Sequence, residues 1–163
     1  MKRWLRRLVL ASIVLTATIL GILEALRWTA TRQGVVSVPL PEGSEIAKRA
    51  LESDYADAYR IPLDRPDISG DTIASLTFQP GREIARTDNE VVFAGGAPGL
   101  RFLASYVLEP DEDAVQLTMS TAVFYESALG RLYFLPVGIG HRRLVPFALS
   151  RMAQDLDSVS PPR

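Results

Sequence analysis

Arg101 to Phe124 reads RFLASYVLEPDEDAVQLTMSTAVF, and its period-two alternation decides the fold class. In Arg101–Leu108, Phe102, Ala104, Tyr106 and Leu108 alternate with Leu103, Ser105 and Val107. Pro110-Asp111-Glu112-Asp113 supplies turn chemistry, and Ala114–Phe124 then sets Val115, Leu117, Met119 and Val123 against Gln116, Thr118 and Ser120. Alternation on both sides of a turn marks an antiparallel hairpin, because successive strand side chains point to opposite faces. One face is expected to pack on a core and the other to meet water or a cavity.

Downstream the period changes. Leu129, Leu132, Tyr133, Pro136 and Val137, then His141, Leu144, Val145, Ala148, Leu149 and Met152, recur at three- and four-residue spacing. That spacing predicts an amphipathic helix to about Leu156, bent or broken at Gly138–Gly140 and Pro146. Upstream, a strand over Ala56–Ile61 ends at Pro62, and PLDRPDISGD forms a loop leading to a strand over Thr72–Phe78. Gln79-Pro80-Gly81 is a turn, and Arg82–Ala94 is either one long strand or a hairpin turning at Asp88-Asn89. Gly95, Gly96, Pro98 and Gly99 break the chain again. Meander strands followed by a long helix predict an α+β domain in which the helix covers the sheet's apolar face.

Further out lies EGSEIAKRAL (42–51), a short helix with Ser44 as N-cap. Before it, TATRQGVVSVPLP (29–41) reads as a membrane-proximal linker with a short extended piece, since Pro39 and Pro41 prevent a helix through it. At the N-terminus Lys2, Arg3, Arg6 and Arg7 precede an uncharged run from Leu8 to Leu23, flanked by Trp4 and Trp28. As a helix that run rises about 24 Å against a bilayer core of ~30 Å, and extension through Ala25 and Leu26 brings Glu24 towards the far interface. Tryptophan favours the membrane boundary, so a transmembrane signal anchor is expected. A cleaved signal peptide shares the basic start and apolar run, but no small-x-small pair follows the apolar stretch. The positive end places the N-terminus in the cytoplasm and the main domain outside it, at a bacterial inner membrane. The resulting division is a basic end and anchor at 1–28, a linker with a short helix at 29–53, the α+β domain at 54–156 and a tail at 157–163.

Composition restricts the chemistry. The 47% apolar and 23% charged content excludes a disordered chain. Without cysteine there is no disulfide, thiol nucleophile or thiolate metal site, and one histidine excludes multi-imidazole ligand sets. The net charge of −1 averages unlike parts: +4 through Trp28, −8 over Thr29–Gly130 and +3 from Arg131 onward. A net-acidic body argues against nucleic acid as a partner. The cationic helix suits anionic lipid headgroups or an acidic ligand, and equally suits ion pairs to its own acidic sheet.

The remaining candidates each have a plainer explanation. His141 as a general base needs a positioned carboxylate and a nucleophile or water, and spacing shows neither; Ser127 and Ser150 lie in no nucleophile-elbow pattern. Asp64, Asp67 and Asp71 in one loop, and Asp111–Asp113 in another, lack calcium-loop spacing and match turn chemistry. Gly95-Gly96-Ala97-Pro98-Gly99 matches no phosphate-loop template. No catalytic residue, metal ligand or cofactor is therefore assigned, and the protein is not expected to be an enzyme.

Thr121-Ala-Val123, Gly130-Arg131-Leu-Tyr133, Val137, His141-Arg142 and Val145 together resemble the C-terminal signature of a bacterial family of unknown function. In that family a strand ending T-x-V precedes N-x-x-G-R-x-Y, V-x-P-F-H-R and an apolar helix. Tyr55-Ala-Asp57-Ala-Tyr59 resembles its opening strand and Arg82-Glu83-Ile84 its middle one. The resemblance covers Asp54 to Ala153 and is specific from Thr121 onward. Ser127 stands where Asn is usual, Ile139-Gly140 replaces Pro-Phe, and the stretch between Ile61 and Thr72 is shorter than the family's helical insert. These departures imply a smaller enclosed cavity, or none. The family is similar to helix-grip proteins of the START and polyketide-cyclase kind (SRPBCC-like), whose curved sheet wraps a long C-terminal helix. Gly130 then permits close strand-to-helix approach, Arg131 pairs with a carboxylate or caps carbonyls, and Tyr133 and His141 face the sheet two turns apart. These are fold-closing roles as naturally as ligand roles, and Arg131, Tyr133, His141 and Arg142 are the residues offered to a ligand. Two functions follow as expectations. One is a membrane-anchored domain binding a hydrophobic or lipid-like ligand; the other is a solidly packed, membrane-tethered accessory subunit with a protein partner.

Overall fold

The computed structural model describes residues 2–64, 68, 81–111 and 114–158, with side chains from Ser12 onward. The expected strand at Thr72–Phe78, with Asp67, Asp71, Glu112 and Asp113 of the candidate loops, lies outside the described residues. The elements in chain order are α1 (Lys2–Arg32), β1 (Val36–Val38), α2 (Glu45–Arg49), β2 (Tyr55–Leu63), β3 (Arg82–Arg86), β4 (Glu90–Ala97), β5 (Leu100–Asp111), β6 (Ala114–Tyr125) and α3 (Ala128–Ser158). The architecture is α+β: an apolar N-terminal helix, a six-stranded antiparallel sheet among the described residues, and a long C-terminal helix.

The hairpin at Arg101–Phe124 forms as β5–β6, paired from Leu100↔Tyr125 to Asp111↔Ala114. Arg82–Ala94 resolves as the hairpin, β3 and β4 pairing from Arg82↔Ala94. The glycine-rich stretch does not break the sheet. β4 runs through Gly95 and Gly96 to Ala97, and Pro98-Gly99 turns the chain into β5 with Gly99 at φ 80. β3 to β6 thus form the expected meander. The sheet order β1-β2-β6-β5-β4-β3 then places β2 on the far side of β6, Tyr55 opposite Val123 and Leu63 opposite Val115. Pro62 lies inside β2, not at its end. β1 reaches only Arg60 on that side, so Pro62 occupies an edge position, where proline is tolerated.

Both faces of the sheet centre are covered. Val115, Leu117 and Met119 of β6 join Val145, Leu149 and Leu156 of α3 in the main core. Ala122 and Phe124, one residue out of phase, join Leu103 with Ile46 and Ala50 of α2 and its flank. The expectation of one wet face is corrected at this point. Ser105 and Ser120, opposite each other on the α2 side, are fully buried. Towards that face's end polarity returns, as Arg60 donates to Thr118 Oγ1 (3.0 Å) and to Glu109 (2.5 Å).

Residues 29–53 contain the expected short extended piece and short helix, and both dock on the domain. Ala30 and Val35 are buried in the main core, β1 extends the sheet, and Ile46 is fully buried. Ser44 caps α2 by accepting from Ala47 N (3.1 Å), as expected. A five-residue helix is too short to hold itself together. The buried carboxylate of Glu90 supplies the missing support, accepting from Glu45 N (2.5 Å) and Ile46 N (3.0 Å).

α3 is one continuous helix through Pro136 and Pro146, with no break at Gly138–Gly140. Its buried residues Gly130, Phe134, Gly138, Val145, Leu149, Met152 and Leu156 fall three, four or seven apart, forming a single stripe on the sheet. α1 packs against α3 near its C-terminal end, where Leu23 and Leu26 are partly buried and Arg143 donates to Glu24 (3.0 Å). From Ser12 to Arg32, α1 is long and apolar enough to cross a membrane, a property that signal sequences share.

Candidate functional site

Small side chains open a space between α3 and the sheet. Ala97 and Ala104 on the strands, and Gly140 and Ala148 on the helix, line an apolar pocket of about 950 Å³. Ala104 stands opposite Thr121 across β5–β6, so neither strand fills the centre. Phe102, Tyr106, Met119, Val123 and Phe134 form much of the wall. On α3 the lining runs from Tyr133 to Asp155, roughly 30 Å at the helical rise, so the space is long. Its volume lies at the upper end of ordinary ligand pockets, which are mostly apolar with a few placed polar groups. Here the polar members are Thr121, Tyr133, His141, Arg151 and Asp155.

The polar cluster gathers where β2 meets α3. His141 Nε2 lies 3.2 Å from Asp57 Oδ1, and Tyr55 donates a short hydrogen bond to Asp57 Oδ2. The carboxylate only accepts, so Nε2 carries the imidazole proton in this pair. Side-chain exposures of 12% for Asp57 and 18% for His141 put the pair largely out of water. Tyr55 stacks edge-on to His141 (6.1 Å) and packs on Phe134 (5.0 Å), while Arg142 reaches the Tyr55 hydroxyl at 3.4 Å. Burial, then the bond to Asp57, pushes the Tyr55 hydroxyl well above its usual range. Burial, then the Asp57 charge, raises Tyr59 to about 12. Both phenols are therefore neutral beside one carboxylate, and Tyr55 donates to it.

The four residues offered to a ligand separate. His141 and Tyr133 line the pocket; Arg131 and Arg142 do not. Tyr133 does not pack on the sheet as expected, being half exposed at the pocket rim. Its neighbour Phe134 is the buried aromatic, between Tyr55 and Tyr125. Arg131 is 70% exposed and pairs at 3.9 Å with Asp54. Gly130 behaves as expected, since a β-carbon there would lie 1.8 Å from Gly99 O. Ser127 N-caps α3, its Oγ accepting from Gly130 N (3.1 Å).

Asp57 is the residue that sequence reasoning missed as a site member. The signal was present in Tyr55-Ala-Asp57-Ala-Tyr59, where period two puts an acid between two tyrosines on the core face. Asp57 supplies the positioned carboxylate that spacing did not reveal for His141. Among the described residues the His141 side chain makes no other hydrogen bond, and no three acidic or histidine side chains form a metal-binding group. No protein-family model, curated protein or solved structure matches the chain.

Proposed function

We propose that this protein is a single-pass, membrane-anchored domain that holds a hydrophobic, chain-like ligand between its sheet and α3. The observation that carries it is the elongated apolar pocket of about 950 Å³. Its length along α3 suits an extended acyl or isoprenoid chain better than a compact polar metabolite. The sheet closed by β2 on β6, with one long helix laid across it, supports the helix-grip likeness that the sequence suggests. The apolar span of α1 with the basic residues ahead of it supports an anchor whose N-terminus is cytoplasmic and whose domain lies outside, at a bacterial inner membrane. In this reading His141, held by Asp57 behind it, provides a fixed polar point at the pocket wall that selects and orients a ligand carrying one polar group. No reaction is assigned to them.

Native mass spectrometry of the full chain, released from lipid nanodiscs, tests this. Gly140 lines the pocket with no atom nearer than 4.0 Å to a β-carbon there, so Gly140→Leu fills space without a backbone clash. The wild-type chain should retain one apolar molecule through delipidation, and Gly140→Leu should lose it. An empty wild-type chain refutes ligand binding and favours the accessory-subunit alternative; equal retention by both refutes the space between sheet and α3 as the binding site.

A further inference from the structure

The outward face of the first half of α3 is unlike the surface of a soluble domain. From Leu132 to Gly140 there is no charged residue, and Leu129, Leu132, Leu135 and Ile139 all lie on the exposed side. A helix that merely covers a sheet turns charged residues outward. Contiguous exposed apolar surface of this kind marks a docking site.

Three observations identify what covers it. α1 packs on α3, and its own apolar residues between Ile13 and Ile22 are exposed as well. The Arg143–Glu24 ion pair sets the end of the α1 apolar run level with the end of the uncharged stretch on α3. Cations bracket that stretch, Arg131 before it and Arg142 and Arg143 after it. Arg131 and Arg142 are exposed on α3, while the sequence from Thr29 to Gly130 carries −8. Apolar side chains bracketed by arginine suit an anionic bilayer surface, which the acidic sheet avoids.

We infer that Leu129–Leu144 of α3 is a second membrane contact, lying in the outer interface beside α1 with Leu129, Leu132, Leu135 and Ile139 in lipid. Tyr133, Val137 and Leu144, which rim the pocket, then face the bilayer, and the pocket fills from the membrane rather than from water. The inference rests on the membrane anchoring proposed above and adds the route by which a lipid reaches the site.

The absence of cysteine allows a single fluorescent label at a chosen position. Full-length Leu135→Cys, Val14→Cys and Leu51→Cys chains are labelled in vesicles of phosphatidylethanolamine and phosphatidylglycerol. Leu51 is 87% exposed, beside α2 on the opposite face of the sheet. Lipid-borne nitroxides should quench the labels at 14 and 135, with loss of quenching by aqueous iodide; the label at 51 should show the reverse. Iodide quenching at 135 equal to that at 51, with 14 still in lipid, overturns the inference and leaves the anchor standing. Iodide quenching at 14 overturns the anchor itself. A label at 135 shielded from both quenchers means that protein, including a second copy, covers this face, and this also overturns lipid contact.

Discussion

A β-carbon on Gly130 would lie 1.8 Å from Gly99 O and 2.4 Å from Gly99 C, both backbone atoms. Gly99 is fixed in turn, with φ 80 and its own would-be β-carbon 2.2 Å from Ser127 Oγ. Neither partner can yield, because Gly99 O accepts from Glu126 N and Ser127 N at the start of α3. Gly130→Ala is therefore expected to cost about 3 kcal/mol, at the upper end for overpacking. Gly140→Ala has open space and should gain up to about 1 kcal/mol from helix propensity. Urea unfolding of both in detergent checks this, and equal stabilities would refute the close-approach account. Gly130 was legible because glycine in the first turn of a helix that follows a strand carries a specific steric meaning. Tyr133 was misread for Phe134 for an equally physical reason. Helical phase assigns faces only where apolar and polar residues differ, and Leu129 to Ile139 is apolar nearly all round. The glycines that mark the buried stripe, Gly130 and Gly138, carry no hydrophobic signal.

Between elements, the β2–α3 seam rests on groups 84 residues apart, Asp57 and His141. Removing Asp57 leaves the largely buried His141 unsatisfied, and removing His141 leaves Asp57 with Tyr55 alone. In a double-mutant cycle of Asp57→Asn and His141→Gln, we expect a coupling of about 1 kcal/mol in unfolding free energy. Strict additivity would show that the two do not support each other. Local patterns revealed the elements built from local contacts: the β5–β6 hairpin, the Ser44 cap and the length of α3, with β3–β4 left between one strand and a hairpin. They gave α2 as a short capped helix and a short extended piece where β1 lies, but not their docking on β2 and on the Glu90 carboxylate. Nor does strand alternation specify that β2 crosses to β6, because an alternating strand fits either edge of a meander. The pocket was foreseen only as a class of possibility. Its volume follows from where small residues such as Ala104, Thr121 and Gly140 meet across elements distant in sequence.

For the whole molecule, the seam between sheet and helix sets a pH limit on folding. Burial is the leading cause raising Tyr55, Tyr59 and Tyr106, with Tyr59 and Tyr106 each at about 12. Met119 pairs with Tyr59 on one side and Tyr106 on the other, so these two phenols lie on the same α3-facing side of the sheet. In the unfolded chain a tyrosine ionises near pH ~10. An acid whose folded value is raised binds its proton more tightly in the native state. The stabilisation is thus complete below about pH 10 and is lost as pH rises towards the folded values. Melting temperature should be flat between about pH 7 and about pH 9 and fall steeply beyond pH ~10. Tyr106 is raised by burial alone, so Tyr106→Phe removes one group from this linkage and should make the alkaline fall shallower, whatever it does to stability at neutral pH. An unchanged slope in Tyr106→Phe would mean that deprotonation at the seam does not drive alkaline unfolding. A shallower slope would make the closed seam the cooperative unit, with strands and α3 separating together as the phenols ionise.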